Sequence, residues 1–442
     1  MVKKIRFFWR LLLAFILRHK GIISTSFIFG GFFFFLIPWV LPLLPKPQET
    51  KTIGVVGRFS LESLPDDIQK QISLGLTHVK EDGTAAPSLA SQWIVEDGGK
   101  TYTFKLAENR FWHDGTKVVT KDVNYNFKDV SVEVLDERTI KFKLQEPFTP
   151  FPVIVSRPLF KKGLIGTGDY KVDKLTRNGD YVNLIYLRSL DKKKPHLKYR
   201  FYPTEAAAKT ALKLGEVRTL EKVVDPSGFE DWKNIKTQSQ IKFDRYLAIF
   251  FDASKPYLNE KNFRQALAYA LPKEKNQKRA LGPISPFSWA YNSDVKPYEY
   301  DLENAKNLLS KAVEKNEEIK LTLATSPSLL TEAEKIKSAW NALGVQTEIE
   351  AMTSPNMEFQ ALLAIQEIPI DPDQYSLWHS SQKIANITHL DNKRIDSLLE
   401  EGRKAQDVEK RKQIYFDFQR FLVEEVPLIF LYHPTIYEIT RK

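Results

Sequence analysis

The chain has 442 residues, 43% hydrophobic and 27% charged, with a net charge of +10. That length predicts two or three folding units rather than one core. There is no cysteine, which excludes disulfides, thiolate metal sites, a cysteine nucleophile and a lipid-modified cysteine anchor.

The charge is uneven. Residues 1–50 hold seven Lys or Arg against one acid, so +6 of the +10 lies there. The rest shows no basic stripe interleaved with aromatics, and no nucleic-acid partner is expected. Gly21 to Leu44 is a run of 24 uncharged residues. As a helix it would measure about 36 Å, against a hydrocarbon core of about 30 Å. Lys3, Lys4, Arg6, Arg10, Arg18 and Lys20 precede it. The positive-inside rule makes residues 1–20 a cytoplasmic basic segment and 21–44 a single transmembrane anchor. Residues 45–51 read as a linker, and everything after them is extracytoplasmic. A cleaved signal peptide fits less well. Its apolar run is typically about 7–15 residues and ends in small residues, whereas this one ends in "LPLLPKPQET".

Strands and turns follow. "SQWIVEDGGKTYTFKL" reads as a hairpin, with Tyr102, Phe104 and Leu106 alternating with polar residues. "VSVEVLDERTIKFKL" reads as a second, turning at Asp136–Arg138. Between them, "RFWHDGTKV" sets an imidazole beside a carboxylate, the parts of a general-base pair. Asp114-Gly115 is also a strong turn signal. Thr120 is placed to cap a following helix with Asp122 in its first turn. Trp112 is therefore expected in the core and His113 as a structural hydrogen-bonder.

Further on, Asp301 is placed to N-cap a helix with Leu302, Ala305, Leu308, Leu309 and Ala312 on one face. "IKLTLAT" alternates as a strand. A helix with Ile336, Ala339, Trp340 and Leu343 on one face follows and ends at Gly344, and "VQTEIE" alternates again. That order predicts a βαβ unit with parallel pairing. Helices are expected at about 391–405 and 407–424, then one or two strands in "VPLIFLYHPTIYEI".

The stretch "LASQWIVEDGGKTYTFKLAENRFWHDGTKVVTKDV" resembles the family 5 extracellular solute-binding proteins of ATP-driven importers, the peptide- and nickel-binding group. The matching residues include Leu89, Ala90, Trp93, Tyr102, Phe104, Trp112, His113, Asp114, Gly115, Thr120 and Asp122. The similarity continues through "IGTGDYKV", where Asp169 stands in place of a proline, "NFRQALAYAL", "DPDQYSLWHSSQ" and "KRKQIYFDFQRFLVEEVPLIFLYHP". The resemblance implies an α/β, two-lobed periplasmic-binding-protein-like fold of type II. A small extra subdomain sits on the first lobe. Lobe 1 would take residues 52–245 plus 426–442, and lobe 2 residues 246–425. It implies a monomer that binds a solute between its lobes and docks on an ABC permease and ATPase, with no catalysis. The "WHDG" signature then shapes a turn.

In such a cleft, aromatic walls and a few placed polar groups hold the ligand. "SPFSWAYNSD" and "DPDQYSLWHSSQ" offer both, which singles out Trp289, Tyr291, Asp373, Tyr375, Trp378 and Gln382. Peptide-binding members of the family often pair a carboxylate with the peptide's amino terminus, just before the D-P. Ile368 occupies that place here, leaving Glu367 or Asp373 as substitutes. There is no G-x-S-x-G and no H-E-x-x-H, and neither a metal site nor a cofactor is expected. The expected solute is oligopeptide-like. An oligosaccharide or metal chelate, or a surface sensor that keeps the fold, are the alternatives.

Overall fold

The computed structural model describes residues 9, 13–40, 48–229, 231–314, 318–352 and 358–442. Residues 1–8 and 10–12 of the expected basic segment lie outside the described residues, as do 41–47 of the anchor and linker. The chain falls into two compact units: Met1–Glu49 with Lys192–Pro195, and Thr50–Asp191 with His196–Lys442.

In the first unit, Lys20–Val40 is one α-helix. The hydroxyls of Ser24 and Thr25 donate to the Gly21 carbonyl, so they need no outside partner. Phe27, Phe29 and Phe32 to Phe35 are exposed. The helix is long and apolar enough to cross a bilayer.

In the second unit, β1 (Thr50–Val56) comes first, and β2 (Thr77–Val79) and β3 (Ala85–Pro87) make a short hairpin. β4 (Ala90–Glu96), β5 (Thr101–Leu106), β6 (Val130–Val134) and β7 (Thr139–Leu144) form an antiparallel sheet ordered β4-β5-β7-β6. Both expected hairpins are in it. Alternation buries Tyr102, Phe104 and Leu106 against Phe142 and Phe151. β8 (Tyr170–Asn178), β9 (Tyr181–Ser189), β10 (His196–Tyr202), β11 (Thr219–Val223) and β12 (Ile235–Ile241) follow. β13 (Arg245–Phe251), β14 (Ile319–Thr325), β15 (Val345–Ala351), β16 (Ala361–Glu367) and β17 (Leu428–Tyr432) form a second lobe's sheet, ordered β15-β14-β16-β13-β17. β18 (Thr435–Arg441) returns to the first lobe, whose seven-stranded sheet runs β12-β18-β11-β1-β10-β9-β8. The expected βαβ unit is present. β14 and β15 pair in parallel around the helix Leu330–Leu343, and Gly344 ends that helix at φ 105°.

The chain crosses between lobes twice, at residues 242–244 and at His433–Pro434. The expected boundary at residue 426 is corrected: Leu428–Tyr432 pairs with β13 in the second lobe. Arg245, placed in lobe 1 by the resemblance, begins β13. The break comes at Pro434, which has no N–H to continue a ladder. A second correction concerns Thr120. Thr120–Asp122 is a single 3₁₀ turn, and the Thr120 hydroxyl donates to the Asp136 carbonyl instead of capping a helix. "WHDG" is built into this turn. Trp112 is buried and donates to Asp122 at 2.8 Å, and the His113 ring bonds the Gly168 carbonyl at 2.8 Å.

Candidate functional site

Two cavities open between the lobes. One, of about 280 Å³, has Trp93, Val95 and Tyr102 of the small sheet on one side and Trp289 and Val408 of the second lobe on the other. The second, of about 340 Å³, lies at the crossings, between Val79, Ile241 and Phe243 and the second lobe's Phe287, Ile368 and Ile370. Gly83, in the β2–β3 turn, borders both.

The turn is self-supporting. The Asp82 carboxylate accepts from the Thr84 N–H and hydroxyl at 2.9 and 2.7 Å. Its backbone reaches the other lobe, where the Trp289 N–H donates to the Asp82 carbonyl at 3.1 Å. Gly83 has φ 87°, and a Cβ there would stand 2.9 Å from the Ile370 carbonyl oxygen. Conformation and close approach both require glycine. A second bridge joins the lobes at Thr149, whose N–H and hydroxyl donate to the carbonyls of Arg403 and Ala405.

Two ion pairs stiffen the second lobe's wall. The Arg411 guanidinium donates to both oxygens of Asp371, at 3.0 and 2.6 Å, and its Nε to the Gly402 carbonyl. Both residues are buried. Burial opposes the charge on Arg411, yet Asp371 holds its pKa above the usual value. The Arg403 guanidinium donates to Asp373 at 2.7 Å and lies 4.0 Å over the Tyr375 ring. Burial pushes the Asp373 carboxyl up, only partly offset by Arg403. Burial raises the Tyr102 phenol to about 12.

The six residues singled out by sequence have different surroundings. Trp289 and the neighbouring Asp371 line the first cavity. Tyr291 packs half-buried against the second lobe's core. Trp378 is 3% exposed and donates to Gln374 at 2.8 Å. Tyr375 stacks on His379 with centroids 4.1 Å apart, and the Gln382 amide donates to Ser381. Asp373, offered as a substitute carboxylate, is engaged by Arg403, and Ile368 lines the cavity at the crossings. Sequence reasoning missed Gly83, Trp93, Val408 and Arg411. Trp93 was marked in the sequence by the family motif it belongs to. Nothing local marked the others.

A third cavity, of about 260 Å³, lies wholly within the second lobe. Burial lowers its Lys273 amine to about 7. Of these three cavities, the first two have walls from both lobes among the described residues. No group of three or more His, Asp or Glu able to hold a metal ion occurs among the described residues.

The chain is 24% identical to the oligopeptide-binding protein AppA of Bacillus subtilis, over 88% of this chain and 87% of that protein. The structure of NikZ from Campylobacter jejuni, in complex with Ni(L-His), superposes with a TM-score of 0.75 at 26% identity, covering 90% of this chain and 94% of NikZ. That of AppA from Bacillus subtilis with a nonapeptide gives 0.70 at 22% identity, covering 90% and 95%; at that identity it speaks for the fold alone. The family model "Bacterial extracellular solute-binding proteins, family 5 Middle" matches residues 84–385, more than half of the chain. Two α/β lobes crossed twice by the chain, with cavities walled by both, are the architecture this match calls for, and the chain belongs to the family 5 bacterial extracellular solute-binding proteins, which bind and do not catalyse.

Proposed function

We propose that the chain captures an oligopeptide-like solute between its lobes and delivers it to an ABC importer permease. The uncleaved N-terminal helix holds it at the membrane with its N-terminus in the cytoplasm. The observation that carries this reading is the pair of cavities meeting at Gly83, with aromatic and aliphatic walls from both lobes. Such walls tolerate varied side chains, while turn and loop backbone supplies hydrogen bonds. Proteins of similar sequence carry oligopeptide- and dipeptide-binding names, which supports the same solute class. Of the six residues, Trp289 is the one we assign to ligand contact.

The test is mass spectrometry of solute released from the full-length protein purified in mild detergent. Calorimetric titration of the emptied protein with the solute found should follow. Short peptides are the expected result. A nickel chelate, which NikZ holds in its structure, or an oligosaccharide would replace the peptide reading and keep the binding role.

A further inference from the structure

The third cavity, of about 260 Å³, shares no lining residue with the two between the lobes. Three stretches of the second lobe enclose it. The helix Leu330–Leu343 offers Glu332, Lys335 and Ile336, which fall on one face at spacings of three and four. The helix Lys261–Tyr269 stops short of Pro272, because the residue before a proline avoids helical backbone. The loop that follows supplies lining residues from Leu271 to Arg279. β17 supplies Leu431 and Tyr432. Neighbours on a strand ordinarily face opposite ways. Here Tyr432 lies opposite Leu247 and Phe430 opposite Ala248, so Leu431 is an extra residue in the ladder. The bulge brings both side chains to the cavity wall.

The space is held open by the backbone around it. The Ala280 N–H donates to the Leu431 carbonyl, Arg279 bridges Tyr432, and the His433 N–H donates to the Lys278 carbonyl at 2.8 Å. A dry cavity of about 150 Å³ admits benzene, so this one has room for a ring with a short substituent. Its charged groups already have partners. Lys335 contacts Glu274 at 2.9 Å and Glu332 at 3.2 Å, and Arg279 contacts Glu299 at 2.7 Å. The Lys273 amine donates to the Ala268 carbonyl at 3.1 Å, and burial lowers its pKa to about 7. A charged ligand would have to break one of these contacts or enter unpaired, which is costly away from water. The Tyr432 hydroxyl is a neutral polar group on the wall. Burial pushes its pKa up to about 12, although the Gln277 amide acts against this.

We propose that this cavity is a second binding site, for a small uncharged molecule of mostly apolar surface that carries one hydroxyl. The site is independent of what the two lobes hold between them.

The probes are benzyl alcohol, benzoate and benzylamine, alike in shape and different in charge. Each is titrated calorimetrically at about pH 7.5 into the full-length protein in mild detergent, with the heat of detergent alone subtracted. Benzyl alcohol should bind at a single site with a Kd of about a millimolar or below. Both ions should bind at least about tenfold more weakly. Ile336→Phe, which narrows the cavity, should abolish the benzyl alcohol heat. The Lys335 side chain is 52% exposed, so Lys335→Gln keeps the fold and leaves two carboxylates unpaired. It should strengthen benzylamine binding about threefold and leave benzyl alcohol unchanged. No saturable heat from benzyl alcohol overturns the proposal, as does the same heat in Ile336→Phe with a folded circular-dichroism spectrum. Benzylamine binding the unaltered protein as tightly as the alcohol overturns it too. If Ile336→Phe does not fold, Lys335→Gln decides, and an unchanged benzylamine affinity there removes the site.

Discussion

Trp289 borders an interlobe cavity, its ring 3.9 Å from the place a Gly83 side chain would take. Truncating an aromatic that a ligand covers typically costs about 2 kcal/mol, near thirtyfold in affinity. Trp289→Ala should weaken solute binding by about that factor in calorimetric titration, with a folded circular-dichroism spectrum. Trp378 is enclosed and bonded to Gln374. Trp378→Ala should leave a void costing about 3–5 kcal/mol and strand the Gln374 oxygen. Its melting temperature should fall sharply, while affinity in the folded fraction holds. An unchanged melt with weaker binding would move Trp378 into the site. Asp371 and Arg411 form a buried pair, and losing one partner strands the other charge. Urea denaturation of Asp371→Asn should show a loss of about 3–5 kcal/mol. The double variant with Arg411→Met should lose less than the two single losses combined.

The two crossings behave as one element. The Lys242 N–H donates to the Pro434 carbonyl at 2.9 Å, and the His433 ring bonds the Arg245 carbonyl at 2.8 Å. His433 also packs against Phe243, with ring centroids 5.0 Å apart. Burial lowers the His433 pKa and Lys278 acts the same way, against the Arg245 carbonyl and Asp244. The unfolded chain, with a histidine pKa of about 6.5, then binds a proton that the folded chain refuses. The stability His433 allows is complete above that pH and falls as acid passes through it. Thermal melts from about pH 7 to pH 5 should decline, and His433→Asn, which keeps a donor, should flatten part of the slope. An identical slope in that variant would place the proton elsewhere. Elements set by local periodicity were legible in the sequence. The β14–helix–β15 unit has its expected order, and Asp301 caps its helix by accepting from Asn304 at 2.9 Å. β17 was assigned to the wrong lobe because an apolar run of five does not say which sheet it joins. Trp289 and Trp378 look alike in sequence, both in aperiodic loops beside tyrosine and serine. Only tertiary burial separates a cavity wall from a packed indole. Arg411 lies on a helix face that reads as ordinary core, and its partner Asp371 is 40 residues away.

For the whole molecule, the paired crossings make a hinge, and a ligand that touches both lobes favours the closed state. Small-angle scattering should give a smaller radius of gyration with saturating solute. No change with bound solute would remove the closing mechanism. Full-length protein should resist alkaline carbonate extraction from membranes, and its intact mass should retain the apolar segment. Release into the wash would turn that segment into a leader. The sheet order has a further consequence, for biosynthesis. β18 lies between β12 and β11, and among the described residues β12 pairs with no other strand. Ile439 of β18 is fully buried in the cluster that includes Leu212 and Leu220. The first lobe therefore cannot close in the order in which it is translated, because about 190 residues of the second must pass before its missing strand arrives. During that interval β12 is an open edge, and its lysine and run of polar residues, "IKTQSQI", are suited to keeping such an edge from pairing with the wrong chain.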